Sequence, residues 1–126
     1  MNDKLPLQGR QVLVVEDQYL LARDVCEWLE AAGARIIGPA ATSTQACELL
    51  EKAEVDSAVV DINLGHGPSY EVATNLDQLR LPFVFATGYD EVAIPVEFQD
   101  RPRLEKPFRG PDLVRAMQEL RTIDSL

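Results

Sequence analysis

The stretch Gln11-Val12-Leu13-Val14-Val15-Glu16-Asp17 runs a continuous aliphatic segment directly into two acids. An apolar run without polar alternation is the pattern of a strand covered on both faces, as in a parallel sheet between helices. The periodicity then changes: Leu21, Val25, Trp28, Leu29 and Ala32 recur at helical spacing, and Gly33 supplies the stop. Residues 35–38 read as a short second strand closed by Pro39. Thr42 followed by Gln45 reads as a capping box, opening a helix whose inner stripe is Ala46, Leu49, Leu50 and Ala53. Ser57–Asp61 is the expected third strand, and Val72, Ala73, Leu76 and Leu79 mark a third helix. Phe83–Thr87 and residues 103–106 give two more strands, and Gly110-Pro111-Asp112 opens a last helix with Leu113, Val114, Met117 and Leu120 inward. In the crossover between those last two strands, Pro95 and Pro102 forbid a continuous helix, so a short or irregular fourth helix is expected there. This alternation predicts an α/β fold with a doubly wound, five-stranded parallel sheet.

Composition narrows the function classes. The chain has 126 residues and a formal net charge of -9, from 12 Lys+Arg against 21 Asp+Glu. That length is expected to make one domain, residues 1–126 with its core at about 10–124. The acidic excess repels phosphate backbones and anionic lipid, so neither nucleic acid nor a membrane is an expected direct partner. The aliphatic runs are far short of the ~20 residues a membrane helix needs, and no signal peptide is legible, which together predict a cytoplasmic protein. Cys26 and Cys47 lie in helical segments without Cys-x-x-Cys spacing and read as reduced packing residues.

Ligands of open parallel sheets bind at the carboxyl ends of the strands, and here those ends carry the chemistry. The first strand ends on Glu16-Asp17 and the third on Asp61. Two negative charges ~5 Å apart repel by roughly 3 kcal/mol at an effective dielectric of ~20, so three converging carboxylates need a proton or a cation. Hard oxygen donors with no neighbouring His or Cys favour Mg²⁺, with Mn²⁺ as an alternative. The fourth strand ends on Thr87 and the fifth on Lys106. A nucleophilic carboxylate, a divalent cation, a hydroxyl and an ammonium suit transfer of a phosphoryl group onto Asp61. The acids after the first strand argue against a flavin phosphate cradle, and no Gly-x-x-x-x-Gly-Lys-[Ser/Thr] loop occurs.

These residues resemble the receiver domain of two-component response regulators over about residues 10–124. The resemblance is carried by Val-Leu-Val-Val-Glu16-Asp17, Val-Val-Asp61-Ile-Asn-Leu, Phe-Ala-Thr87-Gly and Glu-Lys106-Pro-Phe, in order and spaced 44 residues from Asp17 to Asp61 and 45 from Asp61 to Lys106. It implies a flavodoxin-like strand order of 2-1-3-4-5 and an Asp61 that accepts phosphoryl from a sensor histidine kinase or a histidine phosphotransfer protein. It further implies Mg²⁺ held by Asp17, Asp61 and the backbone carbonyl of Asn63, with Glu16 acting through water. Thr87 and Lys106 take the switch and charge-pairing roles, and the Lys106-Pro107 bond is similar to one the family holds cis. The chain is then expected to catalyse only its own phosphorylation and dephosphorylation and to be no enzyme toward external substrates.

The departures are specific. Where many receivers carry an aromatic residue three positions before the lysine, this chain has Arg103. The run Pro82-Phe-Val-Phe-Ala-Thr-Gly-Tyr89 is similar to the subset nicknamed FAT GUY, often single-domain proteins; Tyr89, two residues after Thr87, is a candidate switch modulator, as is Arg103 at the usually aromatic position. The expected output is phosphorylation-dependent contact with a downstream protein that the sequence does not name. The rival expectation is a phosphorylation-independent binding module on the same scaffold. His66, the one histidine, reads as a loop residue.

Overall fold

The computed structural model describes residues 4–65, 68–88 and 94–120. Its elements run β1 (Gln11–Val15), α1 (Tyr19–Ala31), β2 (Arg35–Ala40), α2 (Ser43–Lys52), β3 (Ser57–Asp61), α3 (Glu71–Gln78), β4 (Phe83–Thr87), a 3-10 turn at Val96–Phe98, β5 (Arg103–Glu105) and α4 (Gly110–Gln118). All pairings between the named strands are parallel and the order is β2-β1-β3-β4-β5, the order the resemblance implies. The central strands β1, β3 and β4 are buried along nearly their whole length, which is why they read as unbroken apolar runs rather than alternating ones.

The side-chain alternation of a strand divides the core into two layers. Leu13, Val15, Val60 and Phe85 face one side, against Ala46 of α2 and Leu76 of α3. Val12, Val14, Val59 and Val84 face the other, against Leu29 of α1 and Leu113 of α4. The helix starts follow their sequence signals. The Gln45 amide donates to Thr42 Oγ1 at 3.1 Å and the Gln45 side chain accepts from the Ala41 amide at 2.9 Å. In α4 Pro111 sits in the first turn and Asp112 accepts from the Arg109 amide at 3.4 Å. Cys26 and Cys47 are free and half-buried.

Several boundaries differ from the sequence expectation: α1, α2 and α4 end at Ala31, Lys52 and Gln118, short of Ala32, Ala53 and Leu120, and three further differences have structural causes. The second strand does not stop at Pro39: pairing with β1 goes from Leu13↔Ile37 to Val15↔Ala40, so β2 carries one extra residue and continues to Ala40. Gly38 makes the bulge feasible, since its φ is +104° and a Cβ there would lie 2.9 Å from the Ala40 nitrogen and 3.0 Å from the Val14 oxygen. Beyond the bulge the Glu16 amide donates to the Ala40 carbonyl at 2.9 Å, fixing the backbone where β1 meets its acids. The second difference is Leu79, 49% exposed because α3 ends at Gln78 and the chain reverses through Arg80 at φ 59°. The third is β5, which ends at Glu105, with Lys106 beyond it donating its amide to the Thr87 carbonyl at 2.8 Å. The Lys106-Pro107 peptide is cis, as is Gly38-Pro39. Of the β4–β5 crossover, the described residues 94–102 hold only the 3-10 turn, in agreement with its two prolines.

Trp28 closes the α1–α4 contact. Its ring lies 6.3 Å from that of Phe108, and a Cβ on the buried Gly110 would meet the ring atoms Cγ and Cδ1 at 2.9 Å. A rigid indole cannot yield as a flexible chain end would. Gly110→Ala is therefore expected to lower stability by about 1–3 kcal/mol, read as a drop in urea midpoint. Trp28→Leu in the same chain should recover part of that loss; equal losses in both backgrounds would show that the indole contact is not the cause.

Candidate functional site

Strand register brings the acids together. Val15 pairs with Val60 and Asp61 with Ala86, so Glu16 emerges beside Asp61, and Thr87 follows on the next strand. Carboxylate oxygens of Glu16, Asp17 and Asp61 lie within 4.8 Å of one another. Glu16 and Asp61 are buried, at 5% and 3% exposure, whereas Asp17 is exposed. The difference follows from position: Glu16 and Asp61 lie against neighbouring strands, and Asp17 has already left the sheet.

Lys106 is the counter-charge. Its Nζ lies 2.8 Å from Asp61 Oδ2 and 3.1 Å from Glu16 Oε1. The other carboxylate oxygens are held by the backbone: the Asn63 amide donates to Asp61 Oδ1 at 2.9 Å, and the Gln18 amide to Glu16 Oε2 at 3.1 Å. Burial alone would lower the Lys106 pKa, but the hydrogen bond and charge of Asp61, followed by those of Glu16, raise it. The ammonium stays charged at neutral pH.

Glu16 is the least comfortable group. Its pKa is pushed up to about 7 by burial first, then by the charge of Asp61 and a side-chain hydrogen bond with it, with the Gln18 amide and Lys106 opposing. The proton therefore stays on folded Glu16 well above the pH at which an unfolded glutamate loses it. Between the ordinary value of 4.5 and about 7 the native state binds more proton than the unfolded state, so this group's contribution to stability falls as pH rises. Relative to Glu16→Gln, the parent protein in EDTA should lose roughly 3 kcal/mol or less between pH 5 and pH 8. Thermal midpoints of both proteins across that range check this; a pH-independent gap would contradict it.

The loop after β3 completes the wall. The Gly65 amide donates to the Asn63 side-chain oxygen at 2.9 Å, and a Cβ on Gly65 would sit 3.3 Å from Asp17 Oδ2. Thr87 is buried at 8% exposure, and its hydroxyl donates a long 3.5 Å bond to the Leu104 carbonyl. Arg103 lies exposed on the edge strand β5. Tyr89 and His66 lie outside the described residues. The sequence reading missed the two amides of Gln18 and Asn63 that orient the acids; their placement two residues beyond each acid is a local turn signal that could have found them.

The donor set fits a small hard cation. Three carboxylates with one lysine leave net negative charge at the strand ends, and all donors are oxygen, the chemistry Mg²⁺ prefers. No helix among the described residues is long and apolar enough to cross a membrane.

The chain is similar to known proteins over most of its length. A family model described as response regulator receiver domain matches residues 12–118. The solution structure of SdrG from Sphingomonas melonis Fr1 is 36% identical, covers 86% of this chain and 92% of its own, and superposes with a TM-score of 0.76. The phyllosphere-induced regulator PhyR of Methylorubrum extorquens is 31% identical over 106 residues, 79% of this chain and 39% of PhyR. The transcriptional regulatory protein PdtaR of Mycobacterium tuberculosis is 28% identical over 113 residues, 86% of this chain and 55% of PdtaR. The chain thus spans about half the length of the curated relatives it matches.

Proposed function

Since the chain belongs to the response regulator receiver family, we propose that it accepts a phosphoryl group on Asp61 from a histidine kinase or histidine phosphotransfer protein and signals by changed protein contact. Receivers bind Mg²⁺ at an acidic pocket and act as signalling modules between kinases and downstream proteins. The observation that carries the reading is the buried Asp61 carboxylate, gripped by the Lys106 ammonium at 2.8 Å and the Asn63 amide at 2.9 Å. A carboxylate oriented on both oxygens is prepared for attack along one direction.

In the transfer, an Asp61 oxygen forms the new O–P bond as the N–P bond of the donor phosphohistidine breaks, and the electron pair returns to the imidazole nitrogen. Lys106 then pairs with the phosphoryl oxygens, and the Thr87 hydroxyl donates to one of them. Asp17, Asp61 and the Asn63 carbonyl are the proposed Mg²⁺ ligands, with Mn²⁺ an alternative. Glu16, both of whose oxygens are engaged by Lys106 and the Gln18 amide, is suited to act through water. When bound, the cation neutralises charge building on the phosphoryl group.

Acetyl phosphate with Mg²⁺ is the simplest donor. Intact mass should show one phosphoryl group added, and EDTA should prevent it. Absence of any mass gain in the folded protein, alongside partner binding that persists, would favour the phosphorylation-independent module instead.

A further inference from the structure

We propose that the stacked rings of Tyr70 and Phe98 couple the loop after Asp61 to the β4–β5 crossover, so that α3 carries a change at the phosphoacceptor to residues 98–101. This rests on the reading of Asp61 as phosphoacceptor. The loop begins at the site itself, where the Asn63 amide bonds to Asp61 Oδ1. It closes on its own base through the Asn63↔Pro68 bridge and the Ser69 amide on the Ile62 carbonyl at 2.8 Å. Tyr70 follows directly, as the cap residue of α3. A shift of Asn63 is thereby tied at close range to the start of that helix.

Tyr70 faces the crossover. Its ring stacks on Phe98 with centroids 5.8 Å apart and planes 13° apart, and meets Phe85 edge-on at 6.1 Å. Phe98 is 4% exposed and also sits edge-on to Phe85 at 5.9 Å and to Phe83 at 6.4 Å. The other end of α3 holds the same segment: Asp77 Oδ2 lies 2.8 Å from Arg101 Nη2, whose guanidinium covers the Phe83 ring at 5.9 Å. Residues 98 and 101 are thus fastened to α3 at both of its ends. Packed rings repack between discrete arrangements rather than deforming smoothly, so a small displacement of Tyr70 moves Phe98 as a unit. Tyr70 and Phe98 act as positioning residues, since neither touches the reacting atoms.

The amides of Phe98, Gln99 and Arg101 bond within the turn, to Pro95, Val96 and Phe98, and so report its opening by hydrogen exchange. Beryllium fluoride with Mg²⁺, a phosphoryl mimic on carboxylates, should change their exchange roughly fivefold or more, together with that of Asn63 and Gly65. Tyr70→Leu and Phe98→Leu should retain the response at Asn63 and Gly65 and lose it at 98–101. Undiminished response at 98–101 in both leucine variants, or a parent that responds at Asn63 and Gly65 alone, would overturn the coupling and leave the phosphoacceptor reading standing. A parent silent at all these amides and unlabelled by acetyl phosphate would overturn the phosphoacceptor reading, and the coupling with it.

Discussion

Asp61→Asn is expected to abolish the mass gain from acetyl phosphate and Mg²⁺ and, at the same time, to raise the thermal midpoint of the metal-free protein. The two outcomes share one cause. Asp61 is 3% exposed and lies against Glu16 and Asp17 with a single ammonium among them. The wild-type cluster is held at a cost in stability, of the kind functional sites carry. An amide in its place cannot be the nucleophile but removes one of the crowded charges. It leaves Lys106 paired with Glu16, whose Oε1 is already 3.1 Å from Nζ. Relief of like-charge repulsion should amount to about 1–2 kcal/mol, largest at low salt and at pH 8, where Glu16 is also ionised. Mg²⁺ should narrow the gap by stabilising only the parent. A mutant that labels like the parent would show that phosphorylation occurs elsewhere, and an unlabelled mutant less stable than the parent would show that Asp61 is more than compensated by Lys106.

The sequence made the layout of this site legible because the central strands are buried on both faces. Their apolar runs stop where side chains first need to be polar, so Glu16, Asp17, Asp61 and Thr87 marked the strand ends directly. β1, β3 and β4 begin and end where the runs do. The edges were harder. Pro39 looked like a terminator of β2, yet an edge strand tolerates proline, and the bulge at Gly38 lets pairing resume at Ala40. Leu79 fits the helical spacing of α3, but helix length is set by where the chain turns, here at Arg80. Nothing in the spacing distinguished the exposed Asp17 from the buried Glu16 beside it. That distinction is tertiary: it depends on the Ala40 carbonyl holding the Glu16 backbone and on Lys106 arriving from 90 residues away. The Arg101–Asp77 pair and the Tyr70–Phe98 stack were invisible for the same reason, since each joins segments whose local sequence specifies no partner.

Lys106→Met tests the opposite side of the same balance and should be the most damaging single change at the site. The mutation leaves Glu16 and Asp61 buried at 5% and 3% exposure without the ammonium that lies within 3.1 Å of both. Removing one partner of a buried ion pair costs about 3–5 kcal/mol when the remaining charge cannot escape. Here the remaining charge can partly escape, because Glu16 already holds its proton up to about pH 7 and loses one of the groups that oppose this. The loss should therefore be small at pH 5 and approach about 3 kcal/mol at pH 8 in EDTA, measured by urea unfolding. Glu16→Gln in the same chain should recover much of the loss at pH 8, since only Asp61 then lacks a partner. Labelling should slow by roughly 100-fold even where the protein is fully folded, because the donor that meets the phosphoryl oxygens is gone. Lys106→Arg should restore the stability more than the rate: it supplies the charge, but a planar guanidinium cannot place one nitrogen between two carboxylates as the ammonium does. A Lys106→Met protein as stable as the parent at both pH values would mean that the lysine's two short contacts contribute nothing to holding the buried acids.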